Sequence, residues 1–307
     1  VATADNDGCV TLWDTASGEP IHRLLGHRRL VSWVAFSPDG RHIATASHGG
    51  RVVIWDAGSG REIMRVKDHD FAAIQVQFNP KGNILLSLYV DGTARLWNAS
   101  TGDQISVLSA NGYMRKALFS PDGQFVLTAL NDNTARIWKT GSNDFTYLVG
   151  HEKQVTAAAF SSDGRLVATG SLDGTAKIWS LPDGRAIATL RGHNEPLTDV
   201  AFSQDGQLIV TASRDRTARI WRVKDGVEQV ALEGHRAALN SAAFSPNGMY
   251  VLTTSAADHT VRLWDAVSGK GVAELASERE VSDRATPPRY LAIDAAQRLA
   301  EKARHRA

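Results

Sequence analysis

A tryptophan preceded by Leu or Ile recurs seven times, at Trp13, Trp55, Trp97, Trp138, Trp179, Trp221 and Trp264, with spacings of 42, 42, 41, 41, 42 and 43 residues. A fixed period of this length constrains the fold more than any composition does. Each period is one supersecondary unit, and its apolar faces are covered only by stacking on its neighbours. Two further markers keep phase with the tryptophans. A Phe followed by a turn such as SPDG stands at Phe36, Phe78, Phe119, Phe160, Phe202 and Phe244, and a Gly-His pair or its relic lies nine residues before each.

Within one unit the local pattern predicts four short strands. Residues 155–160, 166–171, 176–179 and 186–190 are β-rich runs separated by the turns SSDG, LDG and LPDG. Runs of this length between Gly/Asp/Pro turns form an antiparallel meander. A single four-stranded sheet leaves both faces bare, whereas seven stacked radially bury them, and closing the ring removes the exposed edges. The strand count predicts seven middle hairpins and seven outer strands but only six inner ones, because the first unit opens at VATADNDGCVTLWD. The missing strand is expected from sequence upstream of Val1.

Charge and cysteine content narrow the function classes. Lys and Arg total 34 against 33 Asp and Glu, so there is no basic excess with which to hold nucleic acid. Cys9 is the single cysteine, which excludes an internal disulfide framework and suits a reducing, cytoplasmic setting. No apolar run reaches the length of a membrane span and no leader is evident. A chain that starts at Val1 without Met, in mid-pattern, is expected to be part of something longer. Residues 1–277 carry the repeats. Residues 278–307 are expected to form a linker and an amphipathic helix, with Thr286 as its cap and Tyr290, Ile293 and Leu299 on its apolar stripe.

The recurring His, Ser and Asp have the residue types of a nucleophilic triad, as in His151, Ser171 and Asp173 and again in His193, Ser213 and Asp215. A triad is assembled once in a cleft, whereas these sets recur at the period of the fold, so no catalysis is expected of them. The histidines fall one to a unit, which disfavours a shared metal site, and neither a P-loop nor HExxH is present. No cofactor is expected.

The combination GH…FSPDG…SLDGTAKIW resembles the WD-repeat family of β-propellers over about residues 1–277. The resemblance implies an all-β, seven-bladed β-propeller of four-stranded antiparallel blades, here with a C-terminal helix. It also implies a hydrogen-bonded chain inside each blade, placed on His151, Ser171, Asp173 and Trp179 in the fifth unit and on His193, Ser213, Asp215 and Trp221 in the sixth. In that register the other units depart from the pattern. Gly49 replaces the Asp of the second unit, and Tyr89 the Ser of the third. Ala110 and Leu130 replace the His and Ser of the fourth, an extra residue puts Ser255 out of register and Ala256 in its place in the seventh, and Asp5 takes the Ser place in the first. Only the fifth and sixth units are then complete.

Function follows from the same resemblance. Partner contacts of the family fall at the third and fifth residues after the Gly-His histidine and at the residue before the turn Asp. Carried over, they are Leu30, Ser32, His48, Ala72, Ile74, Val90, Tyr113, Arg115, Asn131, Gln154, Thr156, Leu172, Pro196, Thr198, Arg214, Ala238, Asn240 and Ala257, with Asn6 in the first unit. This apolar set with a slight positive bias suits a protein or peptide partner of some acidic character. Trp33, outside the repeated marker, is expected to pack between blades. The chain is therefore expected to be a non-enzymatic scaffold. The alternative is the sensor domain of a larger signalling enzyme (an NTPase, kinase or caspase-like protease) whose catalytic part lies upstream.

Overall fold

The computed structural model describes residues 1–276 apart from 6, 67, 68 and 111. The expected helix at 278–307 and the contact at Asn6 lie outside the described residues. All the described regular elements are strands. The first sheet has three, β1 (Ala2–Ala4), β2 (Cys9–Trp13) and β3 (Pro20–Leu25), in that order. The second is a four-stranded meander of β4 (Val31–Phe36), β5 (His42–Ser47), β6 (Val52–Asp56) and β7 (Glu62–Arg65). Five more four-stranded sheets follow with strands in sequence order. In the fifth they are Val155–Phe160, Leu166–Ser171, Ala176–Ser180 and Ala186–Leu190, which match the β-rich runs of the sequence almost residue for residue. The seven-sheet, all-β expectation holds. The chain divides into two compact units, Val1–Thr128 with Trp138–Phe145, and Ala129–Ile137 with the chain from Thr146 onward.

The turns are built by their own side chains. In SPDG the Ser37 hydroxyl donates to Asp39 at 2.6 Å and accepts the His42 N–H at 2.9 Å, while Asp39 accepts the Arg41 N–H at 3.0 Å. This double Asx and Ser cradle sets the hairpin register. The turn beside each repeated Asp needs a left-handed residue. Gly174 supplies it at φ 80°, but Asn133, Arg216 and His259 take the same position at φ 69°, 72° and 57°. A Cβ in that region costs about 1–2 kcal/mol, partly offset by the freedom glycine adds to the unfolded chain. Arg216→Gly is therefore expected to raise stability by about 0.5–1 kcal/mol in urea unfolding; a loss would show that the Arg216 side chain holds the turn together.

Four of the repeated tryptophans, Trp55, Trp97, Trp221 and Trp264, are wedges on the preceding sheet. Trp55 packs with Val10, Leu12 and Leu24, Trp97 with Ala44, Ala46 and Ile54, and Trp221 with Ala157, Ala168 and Ile178. Trp33 lies against the same cluster as Trp97, as expected of a packing residue. A register shift falls immediately before the tryptophan in the third strand of five sheets, for example between Ile178 and Trp179, and in β2 of the first sheet. Such a bulge re-aims a side chain, and here it accompanies the turn of the indole N–H into its own sheet. Truncating one of these wedges costs about 3–5 kcal/mol by the usual core scale.

Candidate functional site

The buried polar chain of the fifth sheet runs from its rim to its core through a residue that the motif does not stress. The Trp179 indole donates to Thr169 Oγ1 at 2.8 Å, Thr169 Oγ1 meets His151 Nε2 at 2.8 Å, and His151 Nδ1 meets Asp173 Oδ2 at 2.9 Å. One proton arrangement satisfies every atom: the hydroxyl donates to Nε2 while accepting the indole, and a neutral ring donates Nδ1–H to the carboxylate. The expectation that Ser171 belongs to this chain is corrected. Its hydroxyl donates to the Lys153 carbonyl at 2.9 Å and accepts the Asp173 N–H at 3.0 Å, which fixes the turn instead. Ser213 does the same with the Glu195 carbonyl and Asp215 N–H at 3.0 and 3.1 Å, and Thr211 is the link in that sheet.

The count of complete sets changes with the register. The seventh sheet is complete through Asp258, His235, Thr253 and Trp264, at 2.9, 2.7 and 2.7 Å. Its extra residue is absorbed in the turn after Ser255, which still donates to the Ala238 carbonyl at 2.8 Å. The tryptophan and hydroxyl are paired in all seven sheets, through Thr3, Thr45, Ser87, Thr128, Thr169, Thr211 and Thr253 at 2.7–2.9 Å. The missed signal was a Ser or Thr ten residues before each Trp, eleven in the seventh unit.

The incomplete sheets resolve the shortage differently. In the third, His69 Nδ1 accepts the Phe71 N–H at 3.2 Å and the ring stacks 4.6 Å from Tyr89, leaving Nε2 3.7 Å from Asp91. In the fourth, Arg136 replaces the histidine and donates to Asp132 at 3.0 Å. In the second, His27 and Thr45 are joined at 2.6 Å, but Gly49 offers no carboxylate.

These environments set the charges. Burial alone would raise the Asp173 carboxyl, but the Thr175 hydroxyl, the N–H groups of Glu152 and Thr175 and the His151 ring outweigh it and bring it to about 2. Asp215 and Asp258 are lowered in the same way, burial being outweighed mainly by His193 and Thr217, and by Thr260 and His235. Burial holds His151 and His235 below the ordinary histidine value against the pull of Asp173 and Asp258. Without an Asp, His27 falls to about 4, through burial and then the nearby Arg65 and Arg51, opposed by Glu62. The result is that His27, His151 and His235 are held as neutral imidazoles.

The expected partner residues lie beside these chains. Backbone hydrogen bonds tie the two rim positions of a sheet together, from His48 N–H to Leu30 at 2.9 Å, Val90 to Ala72 at 3.0 Å, Leu172 to Gln154 at 2.9 Å and Arg214 to Pro196 at 2.9 Å. Val90, Arg115, Arg214 and Asn240 are exposed, and Leu30, Ser32, His48, Ile74, Tyr113, Asn131, Gln154, Thr156, Leu172 and Thr198 are half-buried. Ser32, Ile74, Thr156 and Thr198 are the bulged residues of their first strands. Two of these hydroxyls bind across to the next sheet, Ser32 to the Ala73 carbonyl at 2.5 Å and Thr156 to the Leu197 carbonyl at 2.7 Å, so they join neighbours as well as line the rim. In the seventh unit the Asn240 side chain accepts the Ala256 N–H at 2.5 Å.

Among the described residues no group of three or more His, Cys, Asp or Glu is placed to hold a metal, and no helix is long and apolar enough to cross a membrane. A crystal structure of the computationally designed Ika8 protein superposes with a TM-score of 0.80 at 28% identity, over 92% of this chain and 86% of that one. Ribosome assembly protein 4 of Saccharomyces cerevisiae is 50% identical over 44 residues, which is 14% of this chain and only 8% of that protein's length. The profile of the WD domain, G-beta repeat family matches residues 18–56, 60–98, 102–139, 142–180, 184–222 and 226–265, well over half of the chain. Seven sheets that each pair a tryptophan with a hydroxyl, a period near 42 residues and these matches agree, and the chain belongs to the WD domain, G-beta repeat family of β-propellers.

Proposed function

We propose that this chain is a non-enzymatic interaction scaffold that takes a protein or peptide on the rim of its blades. One observation carries the reading. In four sheets the same backbone hydrogen bond sets the residue three after the histidine beside the residue before the turn Asp or, in the second, Gly49. The rim is thus a repeated, preorganised surface whose backbone is already tied and whose side chains differ from blade to blade. Leu30, Ile74, Val90 and Leu172 supply its apolar part, and Tyr113, Arg115 and Arg214 its anchors of the type enriched at interfaces. The matched yeast protein is named for assembly, and a binding role without chemistry is the part of that likeness that carries over.

The test is capture with purified protein. Against wild type, the double variant Tyr113→Ala/Arg115→Glu and the single variant Leu172→Asp are expected to weaken a captured partner at least tenfold, with unchanged folding by circular dichroism. Full retention of every captured partner by both variants would place binding elsewhere.

A further inference from the structure

The rim end of the buried chain is closed by a carboxylate in three sheets and, among the described residues, by none in the second. Asp173, Asp215 and Asp258 stand 2.9, 2.7 and 2.9 Å from the Nδ1 of their histidines, and each also accepts the N–H of the next residue, Glu152, Asn194 and Arg236, at 3.0, 3.3 and 2.9 Å. The second sheet holds its histidine in the same pose. His27 Nε2 meets Thr45 Oγ1 at 2.6 Å, and the Trp55 indole meets the same hydroxyl at 2.8 Å. The ring is only 8% exposed, and its Nδ1 is buried without a hydrogen-bond partner. With the Thr45 hydroxyl donating to Nε2, as Thr169 does to His151, that nitrogen carries a proton, a buried donor aimed at the place where its counterparts meet an Asp.

That place is open and cationic. A Cβ added to Gly49 would meet Ser47 Oγ at 3.6 Å and the Arg29 side chain at 3.9 Å, ordinary contact distances. Arg28 and Arg29 are exposed beside it, and the Arg51 guanidinium reaches the Gly26 carbonyl at 3.5 Å. Arg51 and Arg65 also lie within electrostatic reach of the His27 ring, Arg65 being paired with Glu62 at 2.8 Å. Leu30 and His48, joined across the rim, flank the opening.

We propose that the notch at Gly49 and His27 is a carboxylate-binding site that receives an Asp or Glu side chain of a partner polypeptide in the place that Asp173, Asp215 and Asp258 fill in their own blades. The incoming carboxylate accepts Nδ1–H of His27 and, by register, the N–H of Arg28, while the arginines neutralise it. The site goes beyond the rim reading and is tested without any partner, so either can fail alone.

The probe is N-acetylaspartate methylamide, titrated into protein with nitrogen-labelled histidine rings, with the matching asparagine amide, sodium acetate and sodium chloride at equal ionic strength. The expected result is a saturable shift of the His27 ring signal with the aspartate amide, at least tenfold weaker with the asparagine amide and chloride. Gly49→Asp, which tethers a carboxylate in the notch, is expected to abolish the response and raise the melting temperature. Gly49→Ala, which occupies the space without charge, is expected to weaken the response and leave the melting temperature without that rise. An absent shift in wild type, or an equal one in wild type and Gly49→Asp, overturns the proposal. Binding of acetate without the aspartate amide also overturns it, since the notch would then hold an adventitious ion only.

Discussion

Replacing Thr169 with Val is expected to cost about 3 kcal/mol, while Ser171→Ala costs about 1 kcal/mol, in parallel chemical denaturation. The first change keeps the shape of the side chain but leaves two buried groups, the Trp179 indole N–H and His151 Nε2, without the atom that joins them at 2.8 Å each. An unpaired buried polar group costs about 1–3 kcal/mol, and two are created at once. Ser171→Ala releases only a turn whose other bonds remain, since Asp173 keeps the Glu152 N–H, the Thr175 N–H and hydroxyl, and His151. Equal losses at the two positions would return Ser171 to the chain and overturn the assignment to Thr169.

Acid is expected to lower the stability of the protein in two stages. In the unfolded chain His27 takes up a proton below about pH 6.5, and in the folded chain only below about 4. Between those values the unfolded state holds more protons, so stability rises with pH and is lost as pH falls through the window. The loss amounts to at most about 3 kcal/mol, from the displacement of the value at 1.36 kcal/mol per unit. His151 and His235, also held below the ordinary value, add slope of the same sign. The second stage belongs to the carboxylates. Asp173, lowered from 3.8 to about 2, contributes stability that is present above about pH 4 and lost below it, worth about 2 kcal/mol. Urea midpoints across pH 3–7 read both stages. In Gly49→Asp the upper stage should flatten, because a carboxylate beside His27 restores its affinity for the proton. An unchanged slope between pH 4 and 6.5 would remove His27 as its source.

Most of the fold was legible because its signals are local and repeated. A run such as VTAAAF followed by SSDG specifies a strand and a hairpin turn with no reference to distant residues, and six copies in phase remove the ambiguity of any one. The link within each blade was harder, because it crosses strands. Thr169 pairs with Lys177 in the ladder, so it shares a face with Trp179 two residues on, a diagonal neighbour. Ser171 sits one turn closer to Asp173 and looks, in one dimension, like the better companion of Asp and His. Counting from the tryptophan, and not from the histidine, exposes the hydroxyl in every unit. The seventh unit was misjudged for a related reason. An inserted residue shifts the linear register at Ala256, yet the loop swells and Asp258 still reaches His235. The choice of rim residues rests on family resemblance, because side chains that meet a partner need not repeat and leave no period to count.

The six buried indole–hydroxyl pairs of the second to seventh sheets also make the protein its own gauge of local motion. Each indole proton exchanges with solvent only when its blade parts far enough to break one short bond, and each resonates apart from the amide crowd. One spectrum followed over time in heavy water therefore ranks the blades by the free energy of their separate openings. A scaffold built from near-copies is hard to dissect with mutations that strike every copy's likeness, but here a native reporter sits buried in six of the seven.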